Sequence, residues 1–177
     1  IDFETKVEVN LDQYLEMIRL KTAVLVGASL QMGAIVANAS KQDQTCIYNF
    51  GINLGLAFQL QDDLLDVFGD YDLVGKKIGG DILENKKTIL FHMTRSNSTK
   101  IQISELESLY DSDELNSELK ISKVTSIFKR AKADILTSKL VLDYTDKAIK
   151  YIDDLSIAEL QKDEFRVFSK QLMSRKL

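Results

Sequence analysis

The sequence predicts an all-α fold, and three observations support this. None of the 177 residues is proline, so long helices can run without interruption. Apolar residues recur at helical spacing, as Leu11, Tyr14, Leu15 and Ile18 do near the start of the chain. No segment shows the alternation typical of strands, and no internal repeat or low-complexity tract is present. We therefore expect a single all-helical domain over residues 1–177.

Two long helices are predicted in the first half of the chain. After an extended lead-in, Asn10 and Gln13 resemble a capping box, which starts a helix that runs to about Ala39. A polar break at 40–43 separates it from a second helix over 44–68. Residues 22–40 and 44–61 carry no charge and are about long enough to span a bilayer. Their Ser, Asn and Gln residues favour buried helices of a large bundle, so we expect no membrane span.

Glycine and the second half complete the helical pattern. Four glycines interrupt the charge-free helices, where close backbone packing would compensate for their low helix propensity: Gly27, Gly33, Gly51 and Gly55. The later segments are predicted as a helix over 82–95, a loop over 96–99, a helix over 101–110 and an amphipathic helix from about Val124 that continues or bends to about Asp153. Ser156 with Glu159 resembles a second capping box, which starts a final helix ending near Arg175 and Lys176.

Composition excludes several functional classes. The net charge of −4 gives no electrostatic support for binding nucleic acid. Cys46 is the only cysteine, which excludes an internal disulfide and fits a reducing compartment. His92 has no partner histidine or cysteine at metal-ligand spacing, so we interpret it as structural. The chain begins at Ile1 and shows no signal peptide. We expect a cytoplasmic location.

An acidic cluster stands at the end of the second helix. Asp62 and Asp66 share one helix face, and Asp63 lies about 100° away around the axis. Like charges at this spacing destabilise a helix by about 0.2–0.5 kcal/mol unless a cation neutralises them. Carboxylates suit Mg²⁺ or Ca²⁺. From spacing alone, a solvated acidic surface explains the cluster equally well.

Basic residues follow the acidic cluster within a short glycine-containing segment. Lys76 lies in that segment, Asp81 follows it, and Lys86 opens the next predicted helix. Lysines act as point charges toward phosphate, and glycines allow the backbone to approach a ligand closely. Lys21 and Thr22 add a cation and a hydroxyl inside a long apolar helix. This combination suits a metal-bridged diphosphate, although a structural ion pair between Lys21 and an aspartate would also explain that lysine.

These motifs closely resemble the trans-isoprenyl diphosphate synthases, also called polyprenyl synthetases. The resemblance covers the whole chain, and three motifs in this order make it specific: Lys21-Thr22, Phe58-Gln59-x-x-Asp62-Asp63-x-x-Asp66, and Gly75-Lys76-x-x-Gly79-x-Asp81-x-x-x-x-Lys86. It implies an isoprenoid synthase-type helical bundle, of which this chain would be the C-terminal portion.

The resemblance also implies a role for each motif residue. Asp62 would bind Mg²⁺ that bridges to an allylic diphosphate, with Asp63 and Asp66 as further ligands or holders of metal-bound water and Asp81 as an additional acidic residue. The diphosphate would be held by three lysines: Lys21, Lys76 and Lys86. Thr22 and Gln59 would line the reacting end, and Phe58 would lie near isopentenyl diphosphate and the prenyl carbons.

The implied reaction is ionisation, condensation and elimination. Departure of the diphosphate leaves an allylic cation, which the double bond of isopentenyl diphosphate attacks before a proton is lost. The substrates would be an allylic prenyl diphosphate and isopentenyl diphosphate, the cofactor Mg²⁺, and the assembly the family's usual homodimer. The pathway would be isoprenoid biosynthesis.

One family motif has no counterpart in this chain. The family's first aspartate-rich motif, with its paired arginines, precedes the Lys-Thr pair, and nothing similar occurs in residues 1–57. We therefore expect that the N-terminal helices are absent and that the chain alone is inactive. A non-catalytic subunit of a heteromeric prenyl synthase is the alternative, although intact aspartates argue against it. A terpene cyclase is disfavoured because its usual Asn, Ser/Thr and Glu motif does not follow the lysine segment.

Overall fold

The computed structural model describes residues 9–69, 78–112 and 116–174, and these residues are helical throughout with short connections. The helices, in chain order, are α1 Leu11–Ile18, a π-helical turn Arg19–Ala23, α2 Val24–Val36, α3 Lys41–Phe68, α4 Gly80–Leu83, α5 Ile89–Asn97, α6 Lys100–Tyr110, α7 Ser117–Arg130, α8 Ala133–Asp153 and α9 Glu159–Met173. No strand occurs in these residues. The predicted all-α class is confirmed.

Two compact units make up the chain. The first contains residues 1–60 and 140–175, and the second contains residues 61–139 and 176–177. The long helices α3 and α8 each begin in one unit and end in the other. The predicted extended lead-in and the basic C-terminal residues lie outside the described residues.

The first predicted helix is confirmed, with one feature that its sequence did not predict. Asn10 and Gln13 form the expected capping box, in which each backbone N–H donates to the other side chain at 3.0 and 2.9 Å. The helix then widens into the π turn before continuing as α2. It ends near Asn38, which has a positive φ of 55°. Asparagine tolerates this left-handed conformation better than most residues, so it forms an effective helix stop.

Small residues bring α2 and α3 into close contact. A Cβ added at Gly51 would lie 2.7 Å from the Gly27 Cα, and one at Gly55 would lie 2.7 Å from the Ala23 Cα. Since both obstacles are backbone atoms, the helices can approach this closely only with glycine at these positions. The prediction that glycines compensate through close packing is confirmed there. It is wrong for Gly33, where an added Cβ meets nothing within 4 Å.

This difference predicts opposite effects for two Gly→Ala substitutions. Gly51→Ala should lower the free energy of unfolding by about 1–3 kcal/mol, because the helices must separate to accept the methyl group. Gly33→Ala should raise it by about 0.5–1 kcal/mol, because alanine favours the helix and fills open space. Urea unfolding followed by circular dichroism measures both. Equal effects of the two substitutions would contradict the packing described here.

Phe50 is at the centre of the core of the first unit. Its side chain is fully buried and packs edge-to-face on Phe165, with 5.6 Å between the ring centroids. The surrounding buried cluster joins α3 to α8 and the turn after it: Ile47, Leu54, Ala148, Ile152 and Leu155. This cluster confirms that α3 is a buried core helix.

Polar contacts at Asp43 correct two predicted boundaries. Ser40 caps α3, since its Oγ accepts the Asp43 N–H at 3.0 Å, so the helix begins at Lys41 rather than Gln44. The Ser156 N–H donates to the Asp43 carboxylate at 2.8 Å. The predicted Ser156–Glu159 capping box is therefore wrong, and α9 begins at Glu159, preceded by Ala158.

Two turns with positive φ divide the helices of the second unit. The helix predicted over 82–95 is divided into α4 and α5 by a turn at Asn85, whose φ is +55°. Lys132, with a φ of +57°, likewise ends α7 and separates it from α8. Apolar spacing continues across both turns. The sequence alone therefore predicted one helix across the first turn, and it left either a continuous or a bent helix open at the second.

The outer side of α2 is apolar and exposed. Its glycine side packs on α3, but Leu25 is 69% exposed and Val36 is 81% exposed. Within the described residues, the stretch Leu11–Val36 is long and apolar enough to cross a membrane by length and composition, and 17% of its apolar window is buried. Burial of the charge-free helices is confirmed for α3, whereas the apolar outer side of α2 is uncovered in this chain.

His92 lies in the core of the second unit. It is 3% exposed on α5, next to Phe91. Burial lowers its pKa to about 4, and the nearby charges of Arg95 and Lys87 act in the same direction, whereas a hydrogen bond to the Lys87 backbone opposes them. The imidazole is therefore neutral at neutral pH, in agreement with a structural role.

This depressed pKa predicts a loss of stability in mild acid. Because an unfolded histidine takes up its proton near pH 6.5, the unfolded state gains protons first as the pH falls. The free energy of unfolding should therefore decrease between about pH 6.5 and 4, by up to about 3 kcal/mol. His92 is the only histidine, so His92→Asn should remove this dependence. Parallel stability curves for the two proteins between pH 7.5 and 4 would show that the histidine does not contribute.

Candidate functional site

The Lys21-Thr22 pair lies in the π turn of the first unit. Such turns often occur at functional sites because they displace the side chains from regular helical positions. Close packing of Ala23 on Gly55 brings the turn against α3, and one turn further along α3 the Thr22 hydroxyl donates to Gln59 Oε1 at 3.1 Å. Thr22, Gln59 and Phe58 are partly buried, whereas Lys21 is exposed. The alternative explanation of Lys21, a structural pair with an aspartate, is not among the ion pairs of the described residues.

The aspartates at the end of α3 lie in the second unit and have different environments. Asp63 is 4% exposed, and its Oδ2 lies 3.4 Å from the Ile89 N–H at the start of α5. Asp66 is partly buried and accepts the Asp81 N–H at 3.0 Å. Asp62 is also partly buried. Two of the three carboxylates therefore hold the ends of the segment that carries Asp81 and Lys86.

The carboxylate of Asp66 is half-buried. Burial raises its pKa, and the charges of Asp81 and Asp62 add to this shift, whereas the hydrogen bond from the Asp81 backbone and the charge of Lys86 oppose it. Nearby, burial followed by the charges of Asp81 and Asp66 raises the pKa of Tyr110. Negative charge is thus concentrated in a region of reduced solvation, where a cation would be stabilised.

Lys86 forms an ion pair with one member of this acidic group, Asp81. Its Nζ lies 2.9 Å from Asp81 Oδ1 and 2.6 Å from Glu84 Oε2. Hydrogen bonds to these two carboxylates raise its pKa, so the ammonium stays charged over the whole physiological range. Sequence reasoning did not identify Glu84 as a partner. Its spacing of two residues from Lys86 becomes informative only once the turn at Asn85 is known.

The described residues do not form a complete metal cage. Among residues 9–69, 78–112 and 116–174, no three His, Cys, Asp or Glu side chains form a set that could hold a metal ion alone. Mg²⁺ commonly takes only one or two protein carboxylates and completes its shell with water and substrate phosphate. The aspartates are compatible with that limited role. Lys76, the remaining predicted site residue, lies outside the described residues.

Comparison with known proteins identifies the family. The family model described as polyprenyl synthetase matches residues 1–128. A geranylgeranyl diphosphate synthase of Sulfolobus acidocaldarius is 33% identical over 172 residues, covering 89% of this chain and 52% of that protein. A short chain isoprenyl diphosphate synthase of Methanothermobacter thermautotrophicus is 31% identical over 160 residues, covering 90% of this chain and 48% of that protein.

Solved structures agree with these matches. The crystal structure of a geranylgeranyl pyrophosphate synthase superposes with a TM-score of 0.91 at 45% identity, covering 99% of this chain and 55% of that one. A Corynebacterium glutamicum geranylgeranyl pyrophosphate synthase, solved with isoprenyl diphosphate and magnesium, gives 0.87 at 26% identity, with coverages of 99% and 50%. This chain spans about half the length of the relatives it matches. On the extent of these matches, the chain belongs to the polyprenyl synthetase family.

Proposed function

We propose that this chain is the C-terminal part of a prenyltransferase that extends an allylic diphosphate with isopentenyl diphosphate in isoprenoid biosynthesis. The observation that carries the proposal is the group Asp62, Asp66, Asp81 and Lys86, whose carboxylates and ammonium are of the types that suit a metal ion and a phosphate, on the fold of a family member. The relatives reported above are named as synthases, which supports an enzyme rather than a regulatory subunit.

Magnesium is the cofactor we propose. Asp62 would be its principal protein ligand, with Asp66 and Asp81 close by and Asp63 anchoring α5 behind them. A Mg²⁺ ion at these carboxylates would neutralise negative charge on the diphosphate leaving group. The magnesium bound in the Corynebacterium glutamicum relative supports this assignment.

The chain's own residues would bind and orient the diphosphate. Lys86 is held between Asp81 and Glu84, so a diphosphate oxygen could share its ammonium without a large movement of the backbone. Lys21, exposed on the π turn, and Lys76 would provide further positive charge. Fixed cations of this kind stabilise charge that develops on a departing group.

The Thr22–Gln59 pair would line the part of the site where the two substrates react. Since the Thr22 hydroxyl donates to Gln59 Oε1, the amide of Gln59 is held in one orientation. Phe58 precedes it on α3 and offers an apolar ring suited to prenyl carbons. Orientation of both substrates in an apolar surrounding would favour attack on the cation by the double bond rather than by water.

We propose further that the whole protein contains an N-terminal part with the first aspartate-rich motif, and that this chain alone is inactive. The half-length coverage of the relatives supports this. A homodimer and a cytoplasmic location are proposed from the family resemblance and from the single cysteine. Light scattering on the purified whole protein tests the dimer.

Incubation of the whole protein with dimethylallyl and isopentenyl diphosphates and Mg²⁺ tests the function. A longer prenyl diphosphate, identified by mass spectrometry, is the expected result, and the same mixture with a metal chelator should give none. Failure to extend any allylic diphosphate of five to twenty carbons would overturn the proposal.

A further inference from the structure

The start of α7 contains a buried lysine that the proposed reaction does not use. Lys120 is 5% exposed, although lysine is among the residues that are least often buried. Its Nζ donates to Asn85 Oδ1 at 2.7 Å and to the Ser112 carbonyl oxygen at 3.1 Å. Both acceptors are neutral, so the cost of burying the ammonium is offset by hydrogen bonds in a defined geometry.

The partner of Lys120 is the residue that sets the turn before Lys86. Asn85 has a φ of +55°, a conformation that L residues adopt at a cost. Around it, the Asn85 N–H donates to the Ile82 carbonyl at 3.2 Å and the Lys86 N–H donates to the Asp81 carbonyl at 2.9 Å. This turn directs the Lys86 side chain back to the Asp81 carboxylate.

The neighbouring residue on α7 contacts the other end of the same segment. A Cβ added at Gly79, where φ is +79°, would lie 2.7 Å from Ile121 Cγ1. Lys120 and Ile121 therefore hold the segment 79–86 at both ends. An apolar residue at 120 could fill the same space, but it could not fix the Asn85 amide.

We propose that Lys120 is a positioning residue, which holds Asn85 in its left-handed conformation and thereby aims Lys86 at the diphosphate. The inference rests on the proposed function, because it assigns Lys86 to diphosphate binding. The proposed role is to orient Lys86 and not to place charge at the reacting atoms, since the Lys120 ammonium is bound to Asn85 and to Ser112, which follows α6.

The test uses the whole protein with inorganic diphosphate and Mg²⁺ as the probe in isothermal titration calorimetry. Lys120→Met should weaken binding by about fivefold to tenfold, the cost of a left-handed residue without support. Lys123→Met, at an exposed position on the same helix, is the matched control and should bind as the wild type does. Lys86→Met removes the ammonium itself and therefore shows the largest loss of affinity expected from this lysine.

A second substitution separates positioning from general stability. Glycine adopts a positive φ without side-chain support, so adding Asn85→Gly to Lys120→Met should restore most of the affinity. If Lys120 only stabilised the fold, adding Asn85→Gly should lower the affinity further, because glycine would make the segment 79–86 less stable. If Lys120→Met does not fold, the single variants Asn85→Ala and Asn85→Gly decide. Asn85→Ala should then bind Mg²⁺ and diphosphate about fivefold more weakly than Asn85→Gly does.

The outcomes distinguish the two proposals. Three results would overturn the role of Lys120 only. They are an affinity that Lys120→Met leaves at the wild-type value, no recovery of affinity in the double variant, and equal affinities of the two Asn85 variants. A wild-type protein that does not bind Mg²⁺ and diphosphate, or that binds equally without Lys86, overturns the proposed site and this inference with it.

Discussion

Asp62→Ala in the whole protein should lower kcat for prenyl transfer by about 10²- to 10³-fold, the loss typical when one preorganised electrostatic contact to a developing charge is removed. Asp62 is the aspartate that we propose as the principal Mg²⁺ ligand, whereas Asp63 and Asp66 accept hydrogen bonds from the Ile89 and Asp81 backbone. Steady-state kinetics at saturating Mg²⁺ measures the effect.

Two comparisons make this prediction specific. Asp146→Ala, at an exposed site on α8, should leave kcat unchanged. Asp63→Asn retains an oxygen that can accept the Ile89 N–H, so its effect should be smaller than that of Asp62→Ala. A kcat for Asp62→Ala within threefold of the wild-type value would remove Asp62 from the proposed metal site.

Phe50→Ala should lower the free energy of unfolding by about 3–5 kcal/mol, because it leaves a cavity where a fully buried ring stood. The loss includes the edge-to-face contact with Phe165 and the packing that joins α3 to α8. Such a cost is a large part of the total stability of a typical domain, about 5–15 kcal/mol. Urea unfolding at pH 7.5 measures it.

Phe168→Ala is the matched control for this core substitution. Its ring is 51% exposed on α9, so truncation should change stability by no more than about 1 kcal/mol. If both variants unfold at the same urea concentration, the buried cluster around Phe50 does not stabilise the first unit as described.

Local signals in the sequence predicted much of the fold. The capping box at Asn10 and Gln13 and the length of α3 depend on interactions between residues close in the chain, which periodicity and caps report directly. The close contacts at Gly51 and Gly55 were also anticipated, because glycine inside a helix needs a packing reason.

Other features depend on contacts between distant residues. Asn85 was not recognised as a turn because apolar residues continue at helical spacing on both sides of it, and its partner Lys120 lies 35 residues away. Ser156 was predicted to cap α9, but its N–H binds Asp43, which is 113 residues distant. The π turn at Lys21 and Thr22 likewise has no sequence signal that we recognise.

The environments of the candidate site residues do not follow from their spacing in the sequence. Asp62, Asp63 and Asp66 were treated as one acidic cluster, yet Asp63 and Asp66 hold the ends of the segment that presents Asp81 and Lys86. Sequence spacing places carboxylates on a helix face, but it does not show which backbone N–H groups they meet. That information comes from the packing of α5 and α4 on the end of α3.

A crystal structure of the whole protein with Mg²⁺ and a non-ionisable allylic diphosphate analogue tests the proposed site most directly. We expect Mg²⁺ coordinated by the Asp62 carboxylate and by diphosphate oxygens, with Lys86 within hydrogen-bond distance of the diphosphate and Asn85 still at positive φ. A diphosphate bound elsewhere, or a metal ion that does not contact Asp62, would contradict the site proposed for this chain.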